Sequence, residues 1–234
     1  MRYDSNNPLR VFTAFSGYDS QCLALNRLRD EFPPFDYELV GWSEIDKDAI
    51  TAHDALFPDA ADKNYGDISK IDWHNVPDFD LFTYSFPCTD ISAAGLQQGF
   101  SKASGTRSSL LWECEKAIAV KRPRYLLMEN VKALVSNKFI DGFHEWLRLL
   151  EGYNYQSWSE VLNSKNYGIP QNRERIFVIS ALMDGSGRYY FPKPFTLDKC
   201  LADVLDEDVD ESFFLRDEML ARFCEKSIEN DGGV

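Results

Sequence analysis

Short apolar runs recur along the chain, and each ends in a turn of small or acidic residues. Arg10-Val11-Phe12-Thr13-Ala14-Phe15 predicts a strand and Ser16-Gly17-Tyr18-Asp19-Ser20 a tight turn, after which Cys22, Leu25 and Leu28 recur at helical spacing. A second strand is predicted over 37–43; it ends in Glu44-Ile45-Asp46 before a helix through Ala49 and His53. Asn64-Tyr65-Gly66-Asp67-Ile68 predicts a third, short strand, and 80–85 a fourth. Leu110, Leu111, Cys114, Ala117 and Ile118 form an inward helical face that stops at Pro123-Arg124. Residues 125–128 predict a fifth strand running into Glu129-Asn130-Val131. An amphipathic helix carrying Phe139, Phe143, Trp146, Leu147 and Leu150 then closes at Gly152. A sixth strand spans about 156–162, residues 167–175 form a turn, and 176–180 predict the seventh strand.

Strands alternating with helices at this spacing predict an α/β fold: a mostly parallel seven-stranded sheet with helices on both faces. Neither an internal repeat nor a low-complexity segment is present. The texture changes at Asp184-Gly185-Ser186-Gly187, beyond which 197–205 and 216–223 predict short helices on an acidic tail. The expected organisation is therefore one core domain over 1–190 and a tail over 191–234.

Composition narrows this picture without redirecting it. With 234 residues, 44% of them hydrophobic, the chain is long enough to bury a substantial core. No apolar run approaches the roughly 18 residues of a membrane span, and the polar start 1–7 lacks the apolar core of a signal peptide, so a cytoplasmic location is expected. Five cysteines without a C-x-x-C pair argue against a disulfide framework and against a structural zinc site. The net charge of -13 is unusual for a nucleic-acid enzyme, whose affinity rests on Lys and Arg displacing counterions from phosphates. Acidic residues crowd 203–218, a run that reads as a solvated face.

The chemistry gathers at predicted strand ends, where open α/β sheets bind ligands. Phe86-Pro87-Cys88-Thr89-Asp90-Ile91-Ser92 follows the fourth strand, and Pro87 biases the chain so that the Cys88 thiol is presented by a loop. By itself such a cysteine reads more often as packing. Glu44 ends the second strand some distance after the glycine turn, as an acid that holds ribose hydroxyls would, although Glu also caps helices. Glu129 ends the fifth strand, and Arg173 and Arg175 sit in the Gln-x-Arg-x-Arg turn; separately, these residues could be a helix cap and a surface ion cluster. The polar stretch 95–109 is too long for a simple turn and reads as functional or mobile.

Taken together and in this order, Phe-Ser-Gly-Tyr, Glu44, Gly66-Asp67-Ile68, Pro87-Cys88, Glu129-Asn130-Val131 and the Gln-x-Arg-x-Arg turn resemble the motifs of the C5-cytosine DNA methyltransferases over about residues 9–182. The resemblance implies a Rossmann-like fold dependent on S-adenosyl-L-methionine, and double-stranded DNA as substrate, as in restriction-modification or phage enzymes. It implies a catalytic group of Cys88 as nucleophile toward C6 of a flipped cytosine, Glu129 as the acid at N3, and Arg175 with Arg173 as fixed positive charge. It also places Phe15, Ser16, Gly17 and Tyr18 at the methionine end of the cofactor, Glu44 and Ile45 at the ribose, and Asp67 and Ile68 at the adenine. Pro87 and Leu110 are implied as further contacts, while ordinary core packing is the competing reading for Ile45, Ile68 and Leu110. The segment 95–109 matches the family's mobile loop.

Three departures stand out. Asp19 occupies a place where many members have glycine, which would bring negative charge near the cofactor's carboxylate. Thr89 replaces the usual Gln. The recognition region and last motifs of the family do not appear before Val234, so 191–234 would be the start of that region. Alternatives to a complete enzyme are one half of a methyltransferase completed by a second subunit, a non-catalytic S-adenosylmethionine-binding remnant, or a relative acting on transfer RNA. A cysteine hydrolase would need a His near Cys88, and none of His53, His74 and His144 lies at a predicted strand end.

Overall fold

The computed structural model describes residues 3–91, 99, 105–183 and 188–222. Six strands form one sheet: β1 (Leu9–Ala14), β2 (Tyr37–Ser43), β3 (Leu81–Tyr84), β4 (Tyr125–Val131), β5 (Tyr155–Asn163) and β6 (Glu174–Leu182). It is accompanied by α1 (Ser20–Glu31), α2 (Lys47–Leu56), α3 (Leu111–Lys121) and α4 (Ile140–Gly152). The strand order is β2-β1-β3-β4-β6-β5. β1 pairs in parallel with β2 and β3, and β3 with β4, whereas β6 runs antiparallel to both β4 and β5.

The sheet has six strands instead of the predicted seven because the predicted third strand, residues 64–68, does not form a ladder. Asn64 makes only an isolated bridge to Trp42, Gly66 takes a positive φ of 67°, and Ile68–Lys70 closes as a short 3-10 helix capped by Asp67. A run this short, with a left-handed glycine at its centre, cannot sustain extended pairing.

Alternate residues of the central strands feed two cores. Phe12, Ala14, Phe82, Tyr84, Leu126 and Met128 pack with α3 and α4 on one face, and Leu9, Val11, Leu39 and Trp42 pack with Cys22 and Leu25 of α1 on the other. Leu28, which shares their helical spacing, is 42% exposed, and its neighbours in the last turn of α1 are exposed as well. The β1/β2 register slips between Val11 and Phe12, so Val11 faces Leu39 and Phe12 faces Gly41. A Cβ on Gly41 would lie 2.7 Å from the Phe12 ring and 2.8 Å from Tyr65, so the bulge brings two aromatic rings against bare backbone.

Helical cover on both faces holds around β1 and β2. At the β4-β6-β5 end α4 covers one face, while Leu127, Phe177 and Ile179 on the other stay half-buried and Trp158 meets Tyr189 at 6.3 Å. Of the tail, Leu201–Val204 and Glu211–Phe213 are 3-10 turns, residues 217–222 are helical, and all of these side chains are exposed. The expected break at 184–187 lies outside the described residues.

Candidate active site

Parallel pairing brings the carboxyl ends of β1 to β4 to one edge of the sheet, and antiparallel β6 returns its amino end to the same edge. Ala14, Ser43, Tyr84, Met128 and Val178 lie in one row of register partners, so the residues just beyond them share a rim. β1 lies between β2 and β3, which makes the crevice beyond its end the switch point where doubly wound sheets bind ligands.

At that crevice the turn after β1 is unusually constrained. Phe15 and Asp19 adopt positive φ values of 56° and 64° although neither is glycine, and Gly17 has φ 56° with nothing within 4 Å of where a Cβ would stand. Ser16 is buried and donates to the Thr13 carbonyl at 3.0 Å, while Tyr18 is 53% exposed.

Asp19 does not enter the crevice. It is fully buried, caps α1 by accepting from the Cys22 N–H at 3.1 Å, and receives the Thr13 hydroxyl at 2.8 Å. Its charge therefore serves the helix start, contrary to the expectation that it would sit beside the cofactor's carboxylate. The buried His53 imidazole stacks on Trp42 and brings Nε2 to 3.6 Å from Asp19 Oδ2, which engages it structurally and removes it from any role as base for a cysteine hydrolase. His74 and His144 are exposed on other elements.

The next two loops are knitted to this turn. Glu44 Oε2 accepts the Gly17 N–H at 2.9 Å, and Oε1 accepts the N–H groups of Ile45 and Asp46 at 2.8 and 3.0 Å. Asn64 Oδ1 takes the Glu44 and Gly66 N–H groups, and the Ser43 hydroxyl donates to the Gly66 carbonyl at 2.6 Å. Asn64 was not anticipated; an Asn between two acidic strand ends is the only sequence signal it offered. The Ser69 hydroxyl and amide hold the half-exposed Asp67 carboxyl below its ordinary range. Ile45 is 63% exposed, so ordinary core packing does not describe it, whereas Ile68 is buried in the main core and Leu110 packs half-buried against it.

The Cys88 loop leaves β3 between Phe86, which is buried, and Ile91, which is fully buried, so its two ends are anchored in the core. Asn130 Nδ2 donates to the Phe86 carbonyl at 3.0 Å and ties the loop to β4. Ile91 N–H closes a turn onto the Cys88 carbonyl at 3.0 Å. Pro87 and Cys88 are half-buried. Cys22 and Cys114 are buried, and burial pushes their thiols far upward, whereas Cys88 is only half-buried.

Glu129 and Arg175 meet across the β4/β6 ladder, with Arg175 Nε 3.1 Å from Glu129 Oε1 and each side chain 22% exposed. Burial drives the Glu129 carboxyl above its usual range, while Arg175, then Arg173, then a hydrogen bond from Ser85 pull it back. Arg173 itself is exposed. Of the polar stretch 95–109, only Gly99 and 105–109 fall within the described residues, and Cys224 lies outside them. The rim thus holds a half-buried thiol, a carboxyl biased toward its protonated form, two guanidinium groups and an anchored glycine turn. That set suits activation of an electron-poor ring by a thiolate.

The family model for C-5 cytosine-specific DNA methylase matches residues 9–229. The Type II methyltransferase M2.ScrFI of Lactococcus lactis subsp. cremoris is 39% identical, covering 91% of this chain and 72% of that protein. The orphan methyltransferase M.SssI of Spiroplasma monobiae is 31% identical, covering 88% and 67%, and the orphan methyltransferase M.Rho11sI of Bacillus phage rho11s is also 31% identical, covering 93% and 48%. The chain thus spans about half to somewhat under three quarters of the length of these relatives. Among solved structures, S. pombe Dnmt2 methyltransferase superposes with TM-score 0.67 at 19% identity over 93% of this chain and 66% of that one, which speaks to fold alone. On the family match and these relatives, the chain belongs to the C-5 cytosine-specific DNA methylase family.

Proposed function

We propose that this chain forms the cofactor-binding and catalytic part of a DNA (cytosine-5-)-methyltransferase that acts on double-stranded DNA through a covalent bond between Cys88 and C6 of a flipped cytosine. The observation that carries the reading is the gathering of Cys88, Glu129 and Arg175 on the same sheet edge as the Gly17–Glu44 turn.

The residues at the crevice fit S-adenosyl-L-methionine. Open space lies beside Gly17, a carboxylate is fixed at Glu44, and Ile45 offers exposed apolar surface. Phe15, Ser16, Gly17 and Tyr18 would hold its methionine end, Glu44 and Ile45 its ribose, and Asp67 its adenine amine, with Ile68, Pro87 and Leu110 as supporting walls. When bound, S-adenosyl-L-methionine supplies an electrophilic methyl group.

The chain's own residues prepare the base to receive it. C6 is closed off inside the stacked duplex, so the cytosine must leave the helix before the thiolate reaches it. Cys88 Sγ forms a bond to C6, the C5–C6 double bond shifts its electrons into the ring, and Glu129 gives a proton to N3. Arg175, assisted by Arg173, supplies fixed positive charge to the cytosine O2 and a nearby phosphate. After C5 is methylated, solvent takes the C5 proton, the C5–H electron pair restores the C5–C6 double bond, Cys88 leaves as a thiolate, and N3 returns its proton to Glu129.

A duplex carrying 5-fluorocytosine tests this reading, because fluorine at C5 cannot leave as a proton and the adduct persists. Incubation with S-adenosyl-L-methionine should give a denaturation-resistant complex that Cys88→Ser does not form. A wild-type chain that binds both ligands yet gives no complex contradicts it; a complex on RNA in place of DNA would move the substrate to transfer RNA.

A further inference from the structure

The start of α3 lacks a cap of its own. A 3-10 turn, Arg107–Leu110, runs directly into α3, and Thr106 at its N-cap position makes no side-chain capping bond. The missing acceptor comes from the cysteine loop. Asp90, 6% exposed, accepts the Ser108 N–H through Oδ2 at 3.0 Å, placing a buried carboxylate on an N-terminal amide where the helix dipole favours negative charge.

Ser108 answers in the other direction. It is fully buried, its hydroxyl donates to the Pro87 carbonyl at 2.7 Å, and the same oxygen accepts the Asp90 N–H at 3.2 Å. Two hydrogen bonds between Asp90 and Ser108 and a third from Ser108 to Pro87 thus grip the loop at Pro87 and at Asp90. Only Cys88 and Thr89 lie between those points, and their turn is closed by the Ile91 N–H on the Cys88 carbonyl.

We infer that Asp90 and Ser108 are positioning residues that set the Cys88 thiol relative to the rim by locking its loop onto the start of α3. The inference rests on the proposed role of Cys88. A loop of this kind has no sheet ladder to fix it, and the Asn130 bond at Phe86 restrains only its entry. The Asp90–Ser108 pair restrains its exit, so the thiol's placement follows from α3 as well as from β3 and β4. Each bond is buried, so removing one partner leaves a donor or acceptor unsatisfied and lets the turn relax.

The test compares wild type, Ser108→Ala, Asp90→Ala and Asp90→Asn, all checked for folding by circular dichroism, using three measurements. Hydrogen exchange follows the peptide spanning 85–91; iodoacetamide alkylation of Cys88, mapped by mass spectrometry, reports thiol placement without any ligand; the 5-fluorocytosine complex reports productive geometry. Ser108→Ala and Asp90→Ala should lose exchange protection, alkylate at Cys88 at a changed rate, and form the complex about 10–100-fold more slowly while duplex affinity stays within about twofold. Asp90→Asn retains an acceptor and should recover most of the rate. If exchange protection is lost while alkylation and complex formation stay at wild-type rates, the pair is structural only and the inference is overturned. If wild type forms no complex, the reading of Cys88 fails, and unchanged Cys88 alkylation in Ser108→Ala and Asp90→Ala separately overturns the positioning role. Should one alanine variant not fold, the other decides by the same comparison: a wild-type alkylation rate together with wild-type exchange at 85–91 overturns the inference.

Discussion

Glu129 Oε1 lies 3.1 Å from Arg175 Nε, yet burial still leaves the carboxyl favouring its protonated form above the usual pH range. The pair therefore holds an acid in reserve beside a fixed cation. Because the folded-state pKa is raised, Glu129's contribution to stability is fully present below the ordinary carboxylate range and is lost as pH rises through the shifted value. Glu129→Gln imitates the protonated form at every pH. Its melting temperature should match wild type near pH 4 and equal or exceed it at pH 8, while adduct formation falls by about 10²–10⁴-fold. A variant less stable than wild type at pH 8 would mean that the ion pair outweighs the cost of burial.

The inward turn of Asp19 makes it a stability residue. Asp19→Ala removes the cap on Cys22 and the carboxylate that accepts the Thr13 hydroxyl, and should cost about 2–4 kcal/mol in urea unfolding. Asp19→Asn keeps a capping oxygen and tolerates left-handed φ, so about 1 kcal/mol is expected. Equal losses for the two variants would show that the negative charge, rather than the cap, is what matters.

Gly41 is fixed by contact, since a Cβ there overlaps Phe12 and Tyr65. Gly41→Ala should lower stability by about 1–3 kcal/mol by forcing two rings apart at the β1/β2 bulge. Thermal melts settle this, and an unchanged midpoint would mean that the rings yield freely.

Glu44 joins the glycine turn to the end of β2 through Gly17, Ile45 and Asp46. Glu44→Gln weakens charge-assisted bonds and should raise the dissociation constant for S-adenosyl-L-methionine about tenfold in calorimetry. Affinity equal to wild type would remove Glu44 from the cofactor site.

Much of the fold was legible because apolar runs of strand length ended at polar strand termini, and the strand over 37–43 matched residue for residue. The carboxyl-end chemistry followed the same logic, since Cys88, Glu129 and Arg175 mark ends of adjacent strands. Other features were hidden for physical reasons. Residues 64–68 carry strand-like composition but need a left-handed glycine. Asp19 reads as a charge beside a ligand until backbone geometry turns it under α1. Asp90 and Ser108 are ordinary loop residues in sequence, and their pairing across 18 positions exists only once the loop folds against α3. Ile68 and Ile45 look alike in sequence, and packing alone sends one into the core and leaves the other exposed.

The central claim is that Cys88 is the group that bonds to cytosine. Tandem mass spectrometry of the complex trapped on 5-fluorocytosine duplex DNA, after proteolysis and nuclease digestion, locates that bond directly. The account predicts a single modified peptide carrying the nucleotide on Cys88, with Cys22, Cys114 and Cys200 unmodified. A nucleotide attached at any other residue would contradict it.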